Sequence, residues 1–381
     1  MRITAIETIL YSTGVVVHAG RISWLWIRLH TDQGVVGLGE TFPSGEGERA
    51  IVEKHLSRVL LGQDPRDIER LWQDMFRAIN FPGWAGAEMR AISAVDIALW
   101  DLAGKTLGEP IWRLLGGKCR DRIRTYNTCY DHVYDFHREA GKLARDLLDS
   151  GIRAMKIWPF DPAALRNRGQ YLTREDLEEG LEPFRQIRDA VGDEMEIAVE
   201  CHGYWNLPSA ARIARALEPF NILWLEEMLP QDNAESYARL AKLVRQPLCL
   251  SERLMTRYQF RELLENGAAQ FVMPDIVWCG GFTEARKIAA LADTYYLPIC
   301  PHNCGGPVQH AASIHLAAHV PNLFILESVR RHYLKEYLGL VNDTMPAREG
   351  FLPVPETPGH GMELAPNITD HADVEVRMLT A

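Results

Sequence analysis

The chain has 381 residues, 47% of them hydrophobic and 24% charged, a balance that excludes a disordered, fibrous or disulfide-scaffold protein. A chain of this length buries cores without covalent staples, and length alone allows two or three domains, or one large α/β barrel with an addition. Lys and Arg (41) are outnumbered by Asp and Glu (51), so the net charge of −10 offers no basic stripe for nucleic acid.

The seven cysteines are odd in number, irregular in spacing and free of Cys-x-x-Cys, which reads as reduced thiols in a reducing compartment. The N-terminal MRITAIETILYSTG lacks the apolar core of a signal peptide, and no apolar run of about 18 residues follows it. The expected location is the cytoplasm, with no membrane partner.

The first 40 residues alternate, with Leu25, Ile27 and Leu29 opposed to Trp24, Trp26 and Arg28, and TDQGVVGLGE supplies a hairpin turn. This predicts a small antiparallel sheet. Asp64-Pro65 then reads as a helix N-cap and first turn, with Ile68, Leu71, Trp72 and Met75 at helical spacing. Ala91, Ala94, Val95, Ala98 and Leu102 mark a second apolar helix face, and Gly116-Gly117 closes the region. Residues 1–120 are therefore predicted to form an α+β unit.

From Arg120 onward short apolar strands alternate with amphipathic helices. The strands are RIRTYNT, RAMKIW, MEIAVE, ILWLE, PLCLS, AQFVMP, YLPIC and NLFILE. Eight strand–helix units predict an α/β closed barrel of parallel strands over 121–335. The Pro- and Gly-rich tail, 336–381, reads as a long return segment.

Reactive groups of such barrels collect at the C-terminal ends of the strands. Here those ends carry Lys156, Glu200, Glu226, Glu252, Asp275, His302 and Glu327, and from Glu200 the gaps run from 23 to 27 residues, about one unit each. A charged residue ending one strand is ordinary, because loops are wet; an ionisable group at each consecutive end is not. Three converging glutamates repel unless a cation binds or protons are kept, and all-oxygen ligation suits a hard ion, Mg²⁺ above all. The bland reading is three separate salt-bridged glutamates. Asp275 one strand from His302 makes a candidate His–Asp general base, against a plain core histidine. Strand periodicity turns His202 to the side of Glu200 and Trp158 to the side of Lys156. His202 is then a candidate general acid and Lys156 a fixed positive charge for a carboxylate, against a supporting histidine and a solvated lysine.

These motifs, with AISAVDIALWDLAGKTLGEPIWRLLGG, WLEEMLPQDN, SERLMTR, PDIVWCGGFTEARKIA, PHNCGGP and ILES in order, resemble the mandelate racemase branch of the enolase superfamily along most of the chain. The resemblance implies a modified TIM barrel, (β/α)7β-like, with an α+β capping domain to which the tail returns. It implies Glu200, Glu226 and Glu252 as ligands of one Mg²⁺, His302 and Asp275 as the base that removes a proton α to a carboxylate, and Glu327 as a hydrogen-bond donor to that carboxylate. Two departures stand out. The branch usually has Asp where Glu200 stands, and its racemases carry Lys-x-Lys where this chain reads Lys156-Ile157-Trp158, so a two-base racemase is disfavoured.

What remains is similar to acid-sugar dehydratases of the galactonate dehydratase type, where a histidine two residues past the first metal ligand corresponds to His202. The implied activity is Mg²⁺-dependent dehydration of an aldonate or aldarate to a 2-keto-3-deoxy acid, in a homo-oligomer of symmetric dimers. The alternatives are an epimerase or lactone cycloisomerase working through the same enolate, and a non-catalytic sugar-acid-binding relative. A stretch as long as Lys156–Glu200 at the mouth is often a lid or specificity element, but Arg166, Arg168 and Tyr171 in it read rather as a solvated loop; His18 and Arg21 are read as cap residues near substrate.

Overall fold

The computed structural model describes residues 1–17, 20–81, 83–130 and 133–380. The N-terminal sheet is an antiparallel meander of β1 (Ile3–Val17), β2 (Gly20–Thr31) and β3 (Val36–Thr41). The Asp32–Gly34 turn joins β2 to β3 in the register Leu29↔Gly37, as the hairpin signal predicts. The helix Ala87–Leu107 lies on β3. Gly37 and Gly39 make that approach possible: a Cβ on Gly39 would stand 1.9 Å from the Ala94 carbonyl oxygen, and one on Gly37 2.1 Å from that of Ala98. Gly39→Ala is therefore expected to cost about 2–3 kcal/mol, since helix and strand must separate. Urea denaturation checks this, and an unchanged midpoint would contradict it.

The preceding helix spans Ile68–Asn80, and its N-cap position is Asp67. Asp64-Pro65 does not start it. Asp64 instead closes a turn, accepting the Arg66 backbone N–H at 3.0 Å. An Asp-Pro pair suits a turn as well as a helix start, and this turn adds a loop before the helix.

The second sheet is parallel and runs β10–β4–β5–β6–β7–β8–β9. Its strands are β4 (Arg122–Thr128), β5 (Ala154–Ile157), β6 (Glu196–Glu200), β7 (Trp224–Glu226), β8 (Leu248–Leu250), β9 (Phe271–Val272) and β10 (Leu326–Ser328). Single parallel bridges Val272↔Ile299 and Ile299↔Leu323 carry the ring from β9 round toward β10. The YLPIC segment thus holds its barrel position by bridges rather than by a ladder. A helix or helix pair follows each strand position on the outside, the TIM-like barrel that the repeating unit predicts, and the first sheet is the cap that the family resemblance implies.

One residue per position fills the barrel: Tyr126, Ala154, Ala198, Trp224, Cys249, Met273, Cys300 and Ile325 form a single buried cluster. Two residues further along each strand, on the same face, stand Thr128, Lys156, Glu200, Glu226, Ser251, Asp275, His302 and Glu327. A polar layer therefore lies directly on an apolar plug. Only at β8 does the register fall on Ser251, with Glu252 one residue later.

The tail forms β11 (Phe351–Pro353), antiparallel to β4, and then β12 (Val374–Thr380), which joins the first sheet beside β1. Two buried carboxylates from the N-terminal unit dock onto barrel helices. Glu40 accepts from the Val308 and Gln309 backbone N–H groups at the start of helix Pro307–His319, and Asp96 accepts from Thr283 at the start of helix Gly281–Thr294. Helix N-termini expose unpaired N–H groups and partial positive charge, so each contact satisfies donors and favours the anion. Among the described residues, no helix is long and apolar enough to cross a membrane.

Candidate active site

Parallel pairing aligns Glu200 with Glu226 directly, and Thr128 with Lys156. Glu200, Glu226 and Glu252 each turn a carboxylate oxygen into a common space, all within 4.8 Å of one another, and all three side chains are buried. Glu200 Oε1 accepts the backbone N–H groups of Cys201 and His202 at 3.1 and 2.7 Å, and Glu226 Oε2 accepts the Trp224 indole N–H at 2.9 Å. Glu200 and Glu226 are thus each oriented through one oxygen, and the other oxygen of each faces the Lys156 ammonium at the edge of the common space. Three hard oxygen donors held this way fit a divalent ion of the Mg²⁺ type. Without one, burial and the neighbouring Glu200 push the Glu226 carboxyl well above the usual range.

Lys156 is buried, not solvated. Its ammonium lies 3.3 Å from Glu200 Oε2 and 2.9 Å from Glu327 Oε1, and also touches Glu226. Burial opposes its charge, but Glu226 and Glu327 outweigh that and hold it protonated. Glu327 also accepts from the Thr128 hydroxyl and from the Asn303 N–H at 2.8 Å. Burial would raise the Glu327 pKa, yet Lys156, His302 and these donors lower it. The carboxylate accepts from each of these neighbours.

Asp275 Oδ2 holds His302 Nδ1 at 2.6 Å, and the same carboxylate is fixed by the Val277 N–H and the Gln309 amide. The other ring nitrogen, Nε2, faces the cluster, 3.2 Å from Glu252 Oε2 and 3.0 Å from Cys304 Sγ. Burial disfavours the imidazolium, but Cys304, Glu252, Glu327 and the Asp275 bond raise the His302 pKa well above its ordinary value.

His202 also reaches the site, by a different route from strand periodicity. β6 ends at Glu200, and His202 follows at φ 49°, in the left-handed region. Its Nδ1 lies 2.6 Å from Asp161 Oδ2, its ring packs edge-on against Trp158, and Arg253 donates to its carbonyl at 2.9 Å. Burial lowers its pKa, and Glu200 and Asp161 more than reverse that, raising it to about 9.

One cavity of about 730 Å³ receives Lys156, Glu200, His202, Glu252, His302 and Glu327, with Glu226 and Asp275 buried behind them. Its roof comes from the first sheet, where Tyr11, Ile22 and Trp24 face it. The Lys156–Glu200 stretch is not an open lid. It folds into helices Asp161–Asn167 and Arg174–Val191, Arg166 pairs with Asp176 and Glu179, and Tyr171 is exposed away from the cavity. Arg21 is exposed, and His18 lies outside the described residues. Sequence reasoning missed Asp161 and Arg253. Arg253 directly follows a proposed ligand, which was a usable signal; Asp161, between two prolines at the start of a helix, left none.

Two family descriptions match the chain. Residues 12–116 match the mandelate racemase / muconate lactonizing enzyme N-terminal domain, and residues 139–368, more than half of the chain, match the enolase C-terminal domain-like family. The chain belongs to the enolase superfamily. Among its enolase-superfamily relatives, D-xylonate dehydratase of Haloferax volcanii is 33% identical over 91% of this chain and 84% of that protein. D-galactonate dehydratase of Ralstonia pickettii is 34% identical over 90% of this chain and 88% of that protein. The crystal structure of a mandelate racemase subgroup enolase from Agrobacterium tumefaciens superposes with a TM-score of 0.90 at 44% identity, covering 100% of this chain and 99% of the other.

Proposed function

We propose that the protein is a Mg²⁺-dependent hydro-lyase that dehydrates a sugar acid, an aldonate or aldarate, to a 2-keto-3-deoxy acid. The observation that carries this is the His302–Asp275 dyad aimed at a buried three-carboxylate cluster in one cavity, with a second histidine, His202, on the same cavity. The dehydratase names of the relatives above support the same reading. Held by Glu200, Glu226 and Glu252, Mg²⁺ would supply positive charge that favours the enolate form of the substrate.

The chain's own residues do the rest. Lys156 carries positive charge at the cluster edge toward the substrate carboxylate. Asp275 holds His302 Nδ1, so Nε2 is the atom that takes the α-proton. Glu327 pairs with Lys156 and so orients it. His202 gives a proton to the departing 3-hydroxyl, and base and acid in separate histidines suit elimination of water. The enol product then becomes the keto acid.

A panel of aldonates (D-xylonate, D-galactonate and D-gluconate among them) and aldarates, incubated with the protein and Mg²⁺, is expected to give a 2-keto acid from at least one. No keto product from any of them would contradict the reading. A further expectation concerns His202→Asn: α-proton exchange continues while dehydration falls by about 10²-fold or more. NMR of substrate and product in D₂O measures both, and normal dehydration would remove His202 from the acid role.

A second reading, C2 epimerisation, draws on one observation. His202–Asp161 is built like His302–Asp275, with the same 2.6 Å contact, so His202 could serve as a second base. Inverted substrate without keto product would favour it.

A further inference from the structure

We infer that Asp161 is a positioning residue for the elimination step, acting through His202. This rests on the reading of His202 as the general acid and goes one residue beyond it. Asp161 is the first residue of the helix that follows β5, and only 4% of it is exposed. From there Oδ2 reaches His202 Nδ1 at 2.6 Å, across 41 residues of sequence.

That single contact decides which nitrogen can work. With Nδ1 held by the carboxylate, the proton available for transfer sits on Nε2, and the ring cannot turn over to present Nδ1. The other polar contacts hold the His202 backbone, and the ring contacts are aromatic. Glu200 accepts the His202 backbone N–H, Arg253 donates to its carbonyl oxygen, and the Trp158 and Tyr204 rings lie 5.9 Å away by centroid. Asp161 alone addresses a ring nitrogen among the described residues. The His202 side chain is 32% exposed, and it lines the cavity that also receives His302. Asp275 makes the same 2.6 Å contact with His302. The cavity therefore holds two carboxylate-held imidazoles, each with Nδ1 occupied.

In the step itself, His302 has already taken the C2 proton. The enolate electron pair forms the C2=C3 bond, the C3–O bond breaks, and the oxygen leaves as water with the His202 Nε2 proton. His202 ends neutral, its Nδ1–H still on Asp161. Removing the Asp161 carboxylate frees the ring to turn and loosens the aim of Nε2, without touching the base.

The test uses whichever of D-xylonate, D-galactonate and D-gluconate turns over, and the 3-deoxy-3-fluoro analogue of that substrate. Fluoride leaves without a proton, so its elimination does not need the acid. Asp161→Asn is expected to lose about 10²-fold or more in kcat for water elimination, yet to keep α-proton exchange and fluoride elimination within about threefold of wild type. Equal losses on both substrates, or normal dehydration, would overturn the proposal. His202→Asn, assayed beside it, separates the two levels. If His202→Asn also dehydrates normally, the acid reading falls; if it is inactive while Asp161→Asn is normal, only the role of Asp161 falls. Circular dichroism and melting of each variant against wild type exclude misfolding as the cause.

Discussion

His302→Asn is expected to abolish exchange of the α-proton, with a fall of about 10³-fold or more in both exchange and dehydration. The size follows from geometry. Nε2 is the one His302 nitrogen turned to the carboxylate cluster, because Asp275 occupies Nδ1 at 2.6 Å. Asn fills similar space and keeps a polar contact to Asp275, but its amide takes no proton near neutral pH. Overall binding should persist, since Lys156 and the glutamates are untouched. The expected signature is therefore a collapse of kcat with KM changed little. Exchange at the wild-type rate, followed by NMR in D₂O, would remove His302 from the base role and leave the cavity without an assigned base.

Chelation of the divalent ion is expected to silence the enzyme while the fold persists. Glu200, Glu226 and Glu252 converge within 4.8 Å, an arrangement that repels itself unless a cation or protons intervene. Lys156 supplies one positive charge against Glu200, Glu226 and Glu327, so the cluster keeps a counter-charge when the ion is gone. Activity in EDTA should fall by about 10³-fold or more, because the charge that favours the enolate is lost, while circular dichroism stays unchanged. Added Mg²⁺ restores turnover. Glu226→Gln should weaken Mg²⁺ binding by about tenfold or more in calorimetry, since it removes one of three anionic ligands. Full activity in EDTA would refute a metal-dependent reaction.

Much of this architecture is written in spacing. Every second residue along a strand shares a face, and from Glu200 onward strand–helix units of 23 to 27 residues return the chain to the same mouth. The apolar layer of Ala154, Ala198 and Trp224 and the polar layer of Lys156, Glu200 and Glu226 both follow from that period. Where a strand stops, the rule stops. His202 lies beyond β6, and a left-handed φ of 49° turns it toward the cavity, for which periodicity carries no information. Glu252 likewise falls one residue off the layer that Cys249 begins.

The residues least visible in the sequence act across long separations. Asp161 is 41 residues from His202, in a segment whose polar composition resembles a solvated loop until its helices pack. The state of Glu327 was equally hidden, because it depends on Lys156, Thr128 and Asn303 meeting from separate strands and loops. YLPIC has the composition of a strand, but among the described residues it pairs through single bridges at Ile299, to Val272 and Leu323, where RIRTYNT forms a ladder.

The central claim is that one cavity removes the α-proton and expels the neighbouring hydroxyl. Turnover of the panel substrate in D₂O with Mg²⁺, followed by NMR and mass spectrometry of the product, tests it most directly. The expected product is a 2-keto-3-deoxy acid carrying one solvent deuterium at C3. Substrate recovered with deuterium at C2 and no keto acid would contradict it.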